Sequence, residues 1–411
     1  MEWSIVCEDV MALIVQKYGG SSVATPELIE KVAWRIAEKY SEGHDLVVVL
    51  SAQGDTTDEL VDQAKRLNPN PSNREMDVLL STGEQISISL MAIALEKLGL
   101  PTVSLVGWQI GIQTDSNYGN ARIRSVSGER IKAELDRRRI VLVAGFQGVN
   151  RYDDITTLGR GGSDTTAVAI AVVLHADVCQ IYTDVDGVYT ADPNMVSGAI
   201  KLDEITYDEM LELASLGAQV LHNRSVEMAK RYNVNMEVLS STKRVPGTKV
   251  KEVTKVEHLK ISGVAKDTKI ARIALMGLRD EPGVAFKAFR VLASAKVNVD
   301  IILQSIGKDD KNNISFTVEK ADAQTAMKVL EENQDIIGYS EISIDDKVAK
   351  VSIVGAGMMS SPGVAAQMFE ALFDAKINIG MISTSEIKIS VLVDEKDADR
   401  AVSAIHSMFF G

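Results

Sequence analysis

The chain is poor in cysteine, histidine and aromatic residues: its 411 positions include two cysteines, five histidines and 5% Phe, Trp and Tyr. Cys7 and Cys179 alone cannot make a disulfide framework, and a reducing cytoplasm fits them best. No apolar run is long enough to read as a membrane span, and no signal-peptide pattern opens the sequence. Basic residues are dispersed and outnumbered, 44 against 57 acidic ones, for a net charge of −13. That balance argues against a nucleic-acid partner and toward small molecules. Also missing are the Gly-x-x-x-x-Gly-Lys-[Ser/Thr] loop and the protein-kinase glycine loop, so the common nucleotide folds are disfavoured.

What remains reads as a globular chain of two or three domains, 45% hydrophobic and 25% charged. Residues 1–10 show no pattern and carry no function in this reading. Ala12–Gln16 reads as a buried strand that stops at Lys17-Tyr18-Gly19-Gly20-Ser21-Ser22. Thr25-Pro26-Glu27 then supplies an N-cap, a first-turn proline and an acid for a helix to about Tyr40. Leu46–Leu50, Ile140–Ala144 and Val178–Tyr182 are further apolar strands, each ending in a polar loop. Such strands alternating with helices predict an α/β fold, a mostly parallel sheet between helix layers, with ligands beyond the strands' carboxyl ends.

Gly159–Thr166 runs directly into the apolar stretch Ala167–Leu174, a glycine turn at a helix mouth. Unpaired NH groups and the positive end of the macrodipole make that junction an anion site. Arg160 adds a planar fork and Asp164 a carboxylate. The Lys17 loop is a second such junction. Two anion sites suit a phosphoryl donor and a carboxylate acceptor that would otherwise repel each other. An acceptor already ionised needs no general base.

After Pro246-Gly247 the sequence repeats itself at an offset of 80 residues: Ile273/Ile353, Gly277/Gly357, Pro282/Pro362, Gly283/Gly363, Phe289/Phe369, Leu292/Leu372, Lys296/Lys376 and Asn298/Asn378. Each copy reads as a βαββαβ unit, 262–340 and 347–411, the second either following the first or interleaved with it. The polar insert Gly307–Asn313, present only in the first copy, is expected to be an exposed hairpin loop.

Lys17-Tyr18-Gly19-Gly20-Ser21-Ser22, Gly83-Glu84, Gly145-Phe146-Gln147-Gly148, Thr157–Thr166 and Thr183–Pro193 stand in an order that resembles the aspartate kinases of the amino-acid kinase family. The likeness covers residues 11–411, and the doubled unit resembles the tandem ACT domains of those enzymes. It implies an amino-acid kinase fold over 11–250 followed by two ferredoxin-like ACT domains. The implied reaction joins ATP and L-aspartate to give ADP and 4-phospho-L-aspartate, at the head of lysine, threonine, methionine and diaminopimelate synthesis. Lys17 and Asp164 would be catalytic. Lys17, Tyr18, Gly19, Gly20, Ser51, Thr183, Asp184, Tyr189, Asp192 and Pro193 would hold the nucleotide. Thr57, Glu84, Phe146, Arg160, Gly161, Gly162 and Ser163 would hold aspartate, Arg160 on its α-carboxylate and Glu84 near its amino group. Mg2+ is expected on ATP, with no direct protein ligand. Asn194 and Gln219 replace an arginine and a lysine of the family pattern, which bears on the outer nucleotide contacts.

The resemblance extends to effector sites for lysine, threonine or both. In the first copy these are Asp280, Pro282, Gly283, Val284, Ala285, Asn298, Asp300 and Gln304. Their counterparts are Ser361, Asn378, Ile379, Thr384, Ser385 and Glu386. Pairing of ACT units implies a homo-oligomer. The rival readings are another carboxylate kinase such as an N-acetylglutamate kinase, an inactive amino-acid sensor, and an ACT pair that only assembles subunits. His222, Trp108 and Cys179 are read as packing residues.

Overall fold

In the computed structural model, residues 11–216, 220–253, 261–306 and 311–411 are described, and they divide into two compact units. The first takes the described residues up to Val188, then Lys201–Ala214 and 220–253; the second takes Tyr189–Ile200, residues 215–216 and everything described from Ile261 on.

The first unit opens with β1 (Leu13–Tyr18), α1 (Pro26–Ser41), β2 (Asp45–Leu50), α2 (Thr56–Leu67), α3 (Asn73–Leu80), α4 (Thr82–Lys97) and β3 (Thr102–Leu105). It continues through β4 (Gln113–Thr114), β5 (Ile123–Ser125), α5 (Glu129–Leu135), β6 (Ile140–Ala144), β7 (Gln147–Val149), β8 (Ile155–Thr157) and α6 (Gly162–Leu174). It closes with β9 (Val178–Thr183), β10 (Glu204–Thr206), α7 (Tyr207–Ser215), α8 (Asn223–Tyr232), β11 (Met236–Ser240) and β12 (Thr248–Lys251). The main sheet runs β10-β12-β11-β9-β1-β2-β6-β3, parallel at every pairing except β11 with β12. The four strands read from the sequence are therefore the central neighbours β9-β1-β2-β6, and their polar loops emerge side by side.

Thr25 caps α1 through its hydroxyl, which accepts a hydrogen bond from the Leu28 N–H. Ile29, Val32, Ala33 and Ile36 recur at helical spacing and pack with Ile88, Met91 and Leu95 of α4 on one face of the sheet. α6 packs against β1, β2 and β9 and is buried along nearly its whole length, which explains why it is apolar all round. The stretch Asn73–Lys97 contains an 18-residue window of mean hydropathy 1.5, which by length and composition alone could cross a membrane. It is α3 and α4 of this unit, partly buried, with Ile86 and Ile93 exposed and the acids Asp77 and Glu84 buried.

The second unit holds β13 (Gly263–Asp267), β14 (Ile270–Arg279), α9 (Val284–Ser294), β15 (Val299–Ile306), β16 (Lys311–Glu319), α10 (Ala323–Glu331), α11 (Gln334–Ile337) and β17 (Glu341–Asp345). Then come β18 (Val348–Val354), α12 (Val364–Asp374), β19 (Met381–Thr384), β20 (Lys388–Asp394) and α13 (Ala398–Phe410). Its two sheets are β15-β16-β14-β17 and β13-β18-β20-β19. β13, which falls within the 262–340 read as the first copy, instead completes the sheet of the second copy, and β17 closes the sheet of the first. The copies share their turn geometry: Gly283 and Gly363 cap α9 and α12 at φ of 97° and 94°, with open space where a Cβ would point. Glycine is needed there for the backbone angle and not for room. Lys311–Asn313 of the polar insert lie in β16, while Gly307–Asp310 fall outside the described residues.

Candidate active site

Lys17 is the penultimate residue of β1, and α6 begins across from it with Asp164 in its first turn. Lys17 Nζ lies 2.6 Å from Asp164 Oδ1, so the two anion junctions are joined by an ion pair. α6 is opened by Gly161 in the left-handed region at φ 71°, where a Cβ would sit 2.2 Å from the His222 ring. Only glycine satisfies both conditions. Phe146, between β6 and β7, also takes positive φ, 69°, and its N–H donates to the Thr166 hydroxyl at 3.2 Å. Backbone strain of this kind at a non-glycine residue is held in place by its surroundings and concentrates at functional sites.

Glu84, near the start of α4, is 3% exposed. One carboxylate oxygen accepts from the Ala52 N–H at 3.1 Å, and the other has no hydrogen-bond partner. Burial pushes its pKa up to about 8, opposed by hydrogen bonds from the backbone N–H groups of Ala52 and of Glu84 itself. A buried acid with an idle oxygen facing a cleft is a seat for a cationic group.

Lys17, Gly20, Ser51, Thr57, Glu84, Phe146 and Arg160–Asp164 line one cleft of about 750 Å³. Lys65, Met76, Asp77, Gly119 and Thr157 line it as well, and the sequence reading had not singled out these five as cleft residues. Lys65, at the exposed end of α2, carried no signal; Asp77 did, as a lone acid beside the apolar Val78-Leu79-Leu80. Tyr18 turns away from the cleft: its ring is fully buried and stacks on Tyr182 at 4.4 Å, because alternate side chains of β1 face opposite sides of the sheet. Gly19 stays near Lys17, a Cβ there lying 3.6 Å from Nζ.

Thr183 ends β9 and Asp184 follows it, the threonine hydroxyl donating to the aspartate at 3.0 Å. Tyr189, Asp192 and Pro193 belong to the segment that groups with the second unit. There the Asp192 side chain accepts from the Asn194 N–H at 2.9 Å, forming a tight turn. Gln219 lies outside the described residues. Cys179 is core, whereas Trp108, expected to be a packing residue, is 59% exposed in the turn Val106–Gly111. Among the described residues no three His, Cys, Asp or Glu side chains gather as a metal cage.

In the second unit, Asp280, Gly283, Val284, Ala285 and Gln304 share a pocket of about 150 Å³ with Asn312, whose amide donates to Asp280 at 2.9 Å. Asp300 instead pairs with Lys350 of the other ACT lobe at 2.5 Å, and neither it nor Asn298 lines that pocket. Ser361 ends the single helical turn Ala356–Ser360, Thr384 ends β19, and the Ser385 N–H closes the next turn on the Lys388 carbonyl at 2.7 Å.

A profile of the Amino acid kinase family matches residues 12–240, and one of the ACT domain matches 273–334 and 351–409. An aspartokinase of Mycolicibacterium smegmatis is 52% identical over 97% of this chain and 96% of its own length, and one of Bacillus sp. (strain MGA3) is 50% identical over 97% of both. The chain belongs to the aspartokinases. Among solved structures, E. coli aspartokinase III in complex with aspartate and ADP superposes with a TM-score of 0.82, at 26% identity over 97% of this chain and 100% of that one. The same E. coli enzyme in complex with lysine and aspartate gives 0.76. An aspartokinase is an ATP-dependent phosphotransferase with a carboxyl acceptor, and the parallel sheet and paired ACT lobes described above are the fold of that family.

Proposed function

We propose that the cleft around Lys17 is where the side-chain carboxylate of L-aspartate attacks the γ-phosphorus of ATP. A P–O bond forms to the carboxylate oxygen as the bond to the β-phosphate oxygen breaks, leaving 4-phospho-L-aspartate and ADP. No proton is transferred, because the acceptor carboxylate is already ionised. Lys17 balances the charge of the moving phosphoryl group, and Asp164 holds the lysine in position. Arg160 clamps the α-carboxylate, and Glu84 meets the α-ammonium. Mg2+ bound to ATP would neutralise phosphate charge. The observation that carries the reading is the idle, buried oxygen of Glu84 within one cleft with the Lys17–Asp164 pair.

That oxygen also favours aspartate over an N-acylated acceptor, which has no ammonium to offer it. Coupled ADP release, with the acyl phosphate trapped by hydroxylamine, tests this directly. Aspartate is the expected acceptor and N-acetylglutamate is not; ADP formation with N-acetylglutamate alone would overturn the assignment. Lys17→Met should lower kcat by about 10³-fold, as expected when a preorganised charge is removed from a transition state, with the protein still folded.

The Asp280–Gln304 pocket is proposed as the seat of an amino-acid effector, lysine, threonine or both, held by the turn at Gly283 and by the Gln304 amide. A homo-oligomer through the ACT lobes is proposed on their sheet edges. β15 leaves Ile302 and Leu303 exposed, and β19 leaves Ile382 exposed, each on an edge strand able to pair. Sedimentation of Leu303→Lys against the wild type checks that edge, with a smaller particle expected.

A further inference from the structure

Four polar side chains lie beneath the loop that carries Arg160, and none of them was assigned a role above. Asp77 of α3 is fully buried, and both of its carboxylate oxygens accept from the Gly119 N–H, at 2.9 and 3.0 Å. One of them also accepts from the Thr157 hydroxyl at 2.6 Å. From the opposite side, the Arg224 guanidinium of α8 donates to the carbonyls of Leu158 at 2.5 Å and Ala121 at 2.8 Å, and to the Asn120 side chain at 3.1 Å. The loop 117–121 is thus tied to α3 by Asp77 and to α8 by Arg224. It is tied to β8 as well, through the Ala121 N–H on the Thr157 carbonyl at 2.8 Å.

That loop is the floor of the anion turn. Gly159 stands at φ 76°, and a Cβ there would lie 3.0 Å from Asn120 Oδ1 and 3.2 Å from the Gly119 carbonyl. Two residues on, Gly161 rests against the His222 ring, whose Nδ1 accepts from the Arg224 N–H at 3.4 Å. Arg160, between the two glycines, has its backbone held from below on both sides.

Burying the Asp77 carboxylate, and partly burying the Arg224 guanidinium, is costly unless each is well hydrogen-bonded. Here neither pairs with the other; both bond groups of the same short loop and of β8, so their cost is offset where the geometry of Arg160 is set. We propose that Asp77 and Arg224 are positioning residues for the acceptor clamp: they fix the floor on which Gly159–Gly161 sits and so aim Arg160 at the α-carboxylate. The inference rests on the acceptor reading given above.

A displacement of the clamp by about 1 Å can cost on the order of 10²-fold, and here it falls on the acceptor. Steady-state kinetics of Asp77→Asn, Arg224→Gln and Thr157→Val should show the KM for aspartate raised by about 10-fold or more, with the KM for ATP within about twofold of wild type. Asp77→Asn and Arg224→Gln act on one loop, so their combined effect should be smaller than the product of the two, whereas unrelated destabilisations add. Thr157→Val removes a single bond to Asp77 and keeps the test alive should the charged-site variants fail to fold. An unchanged aspartate KM in folded Arg224→Gln and Thr157→Val, or parallel rises in both KM values, would overturn the proposal. A wild-type protein that does not phosphorylate aspartate would sink the acceptor reading instead.

Discussion

At the scale of single residues, Glu84 sets a pH dependence whose sign follows from its burial. A carboxyl group raised to about 8 is protonated in the free protein at neutral pH and becomes an anion only above that value or beside a cation. The pH profile of kcat/KM reports groups of the free enzyme, so kcat/KM for aspartate should rise with pH and level off above about 8. In Glu84→Gln the profile should be flat in this range and lower by about 10²-fold, the worth of a buried charge-assisted bond. Stability moves the other way. Because the folded value lies above the ordinary 4.5, the contribution of Glu84 is fully present below that pH and is lost as pH rises through about 8. Melting curves at pH 6 and pH 9 should therefore separate wild type from Glu84→Gln mainly at the higher pH, and saturating aspartate should narrow the gap. A wild-type kcat/KM that falls between pH 7 and 9 would remove Glu84 from the ammonium site.

At the scale of elements, the second ACT lobe owes one strand to a distant stretch of chain. Val264 of β13 is 2% exposed and pairs with Ile353 of β18. Val264→Asp would bury an unpaired charge in that lobe, so amide exchange should speed up in β18 and β20 while β14 and β16 stay protected. Equal acceleration in both sheets would mean that the lobes unfold as one. The same strand marks where sequence reading stops. Ile140–Ala144 was legible to the residue as β6, and α1 was legible from Thr25-Pro26, because apolar runs and caps are local signals. β13 answers β17 at the 80-residue offset, Val264 pairing with Ile353 as Ile344 pairs with Ile273, yet nothing local tells either strand which sheet it will join. Likewise Lys17, Arg160 and Asp164 were legible from glycine turns at strand ends, whereas Asp77 and Arg224 act on a loop 42 and 103 residues away, where no spacing rule reaches. Tyr18 belongs to the motif by sequence, and the strand's alternation turns its ring into the core, which leaves its backbone beside Lys17.

At the scale of the whole molecule, the regulatory reading has a consequence that a bare inhibition assay does not reach. If lysine or threonine in the Asp280–Gln304 pocket weakens aspartate binding by some factor, aspartate must weaken effector binding by the same factor, since the coupling free energy is common to both. Couplings of this kind are typically about 5- to 150-fold, well within the range of titration calorimetry. Lysine should therefore be titrated into the protein with and without saturating aspartate, and aspartate into the protein with and without lysine; threonine is treated the same way, alone and together with lysine. The two ratios should agree. Gln304→Ala removes an amide of the pocket that takes no part in the chemistry, so it should weaken effector binding by about 10-fold, the worth of one hydrogen bond to a charged ligand, while leaving kcat without effector within about twofold. Inhibition that persists unchanged in Gln304→Ala would move the effector elsewhere. Binding with a ratio of one in both directions would leave the ACT lobes as assembly modules, because a ligand that binds two states equally shifts neither.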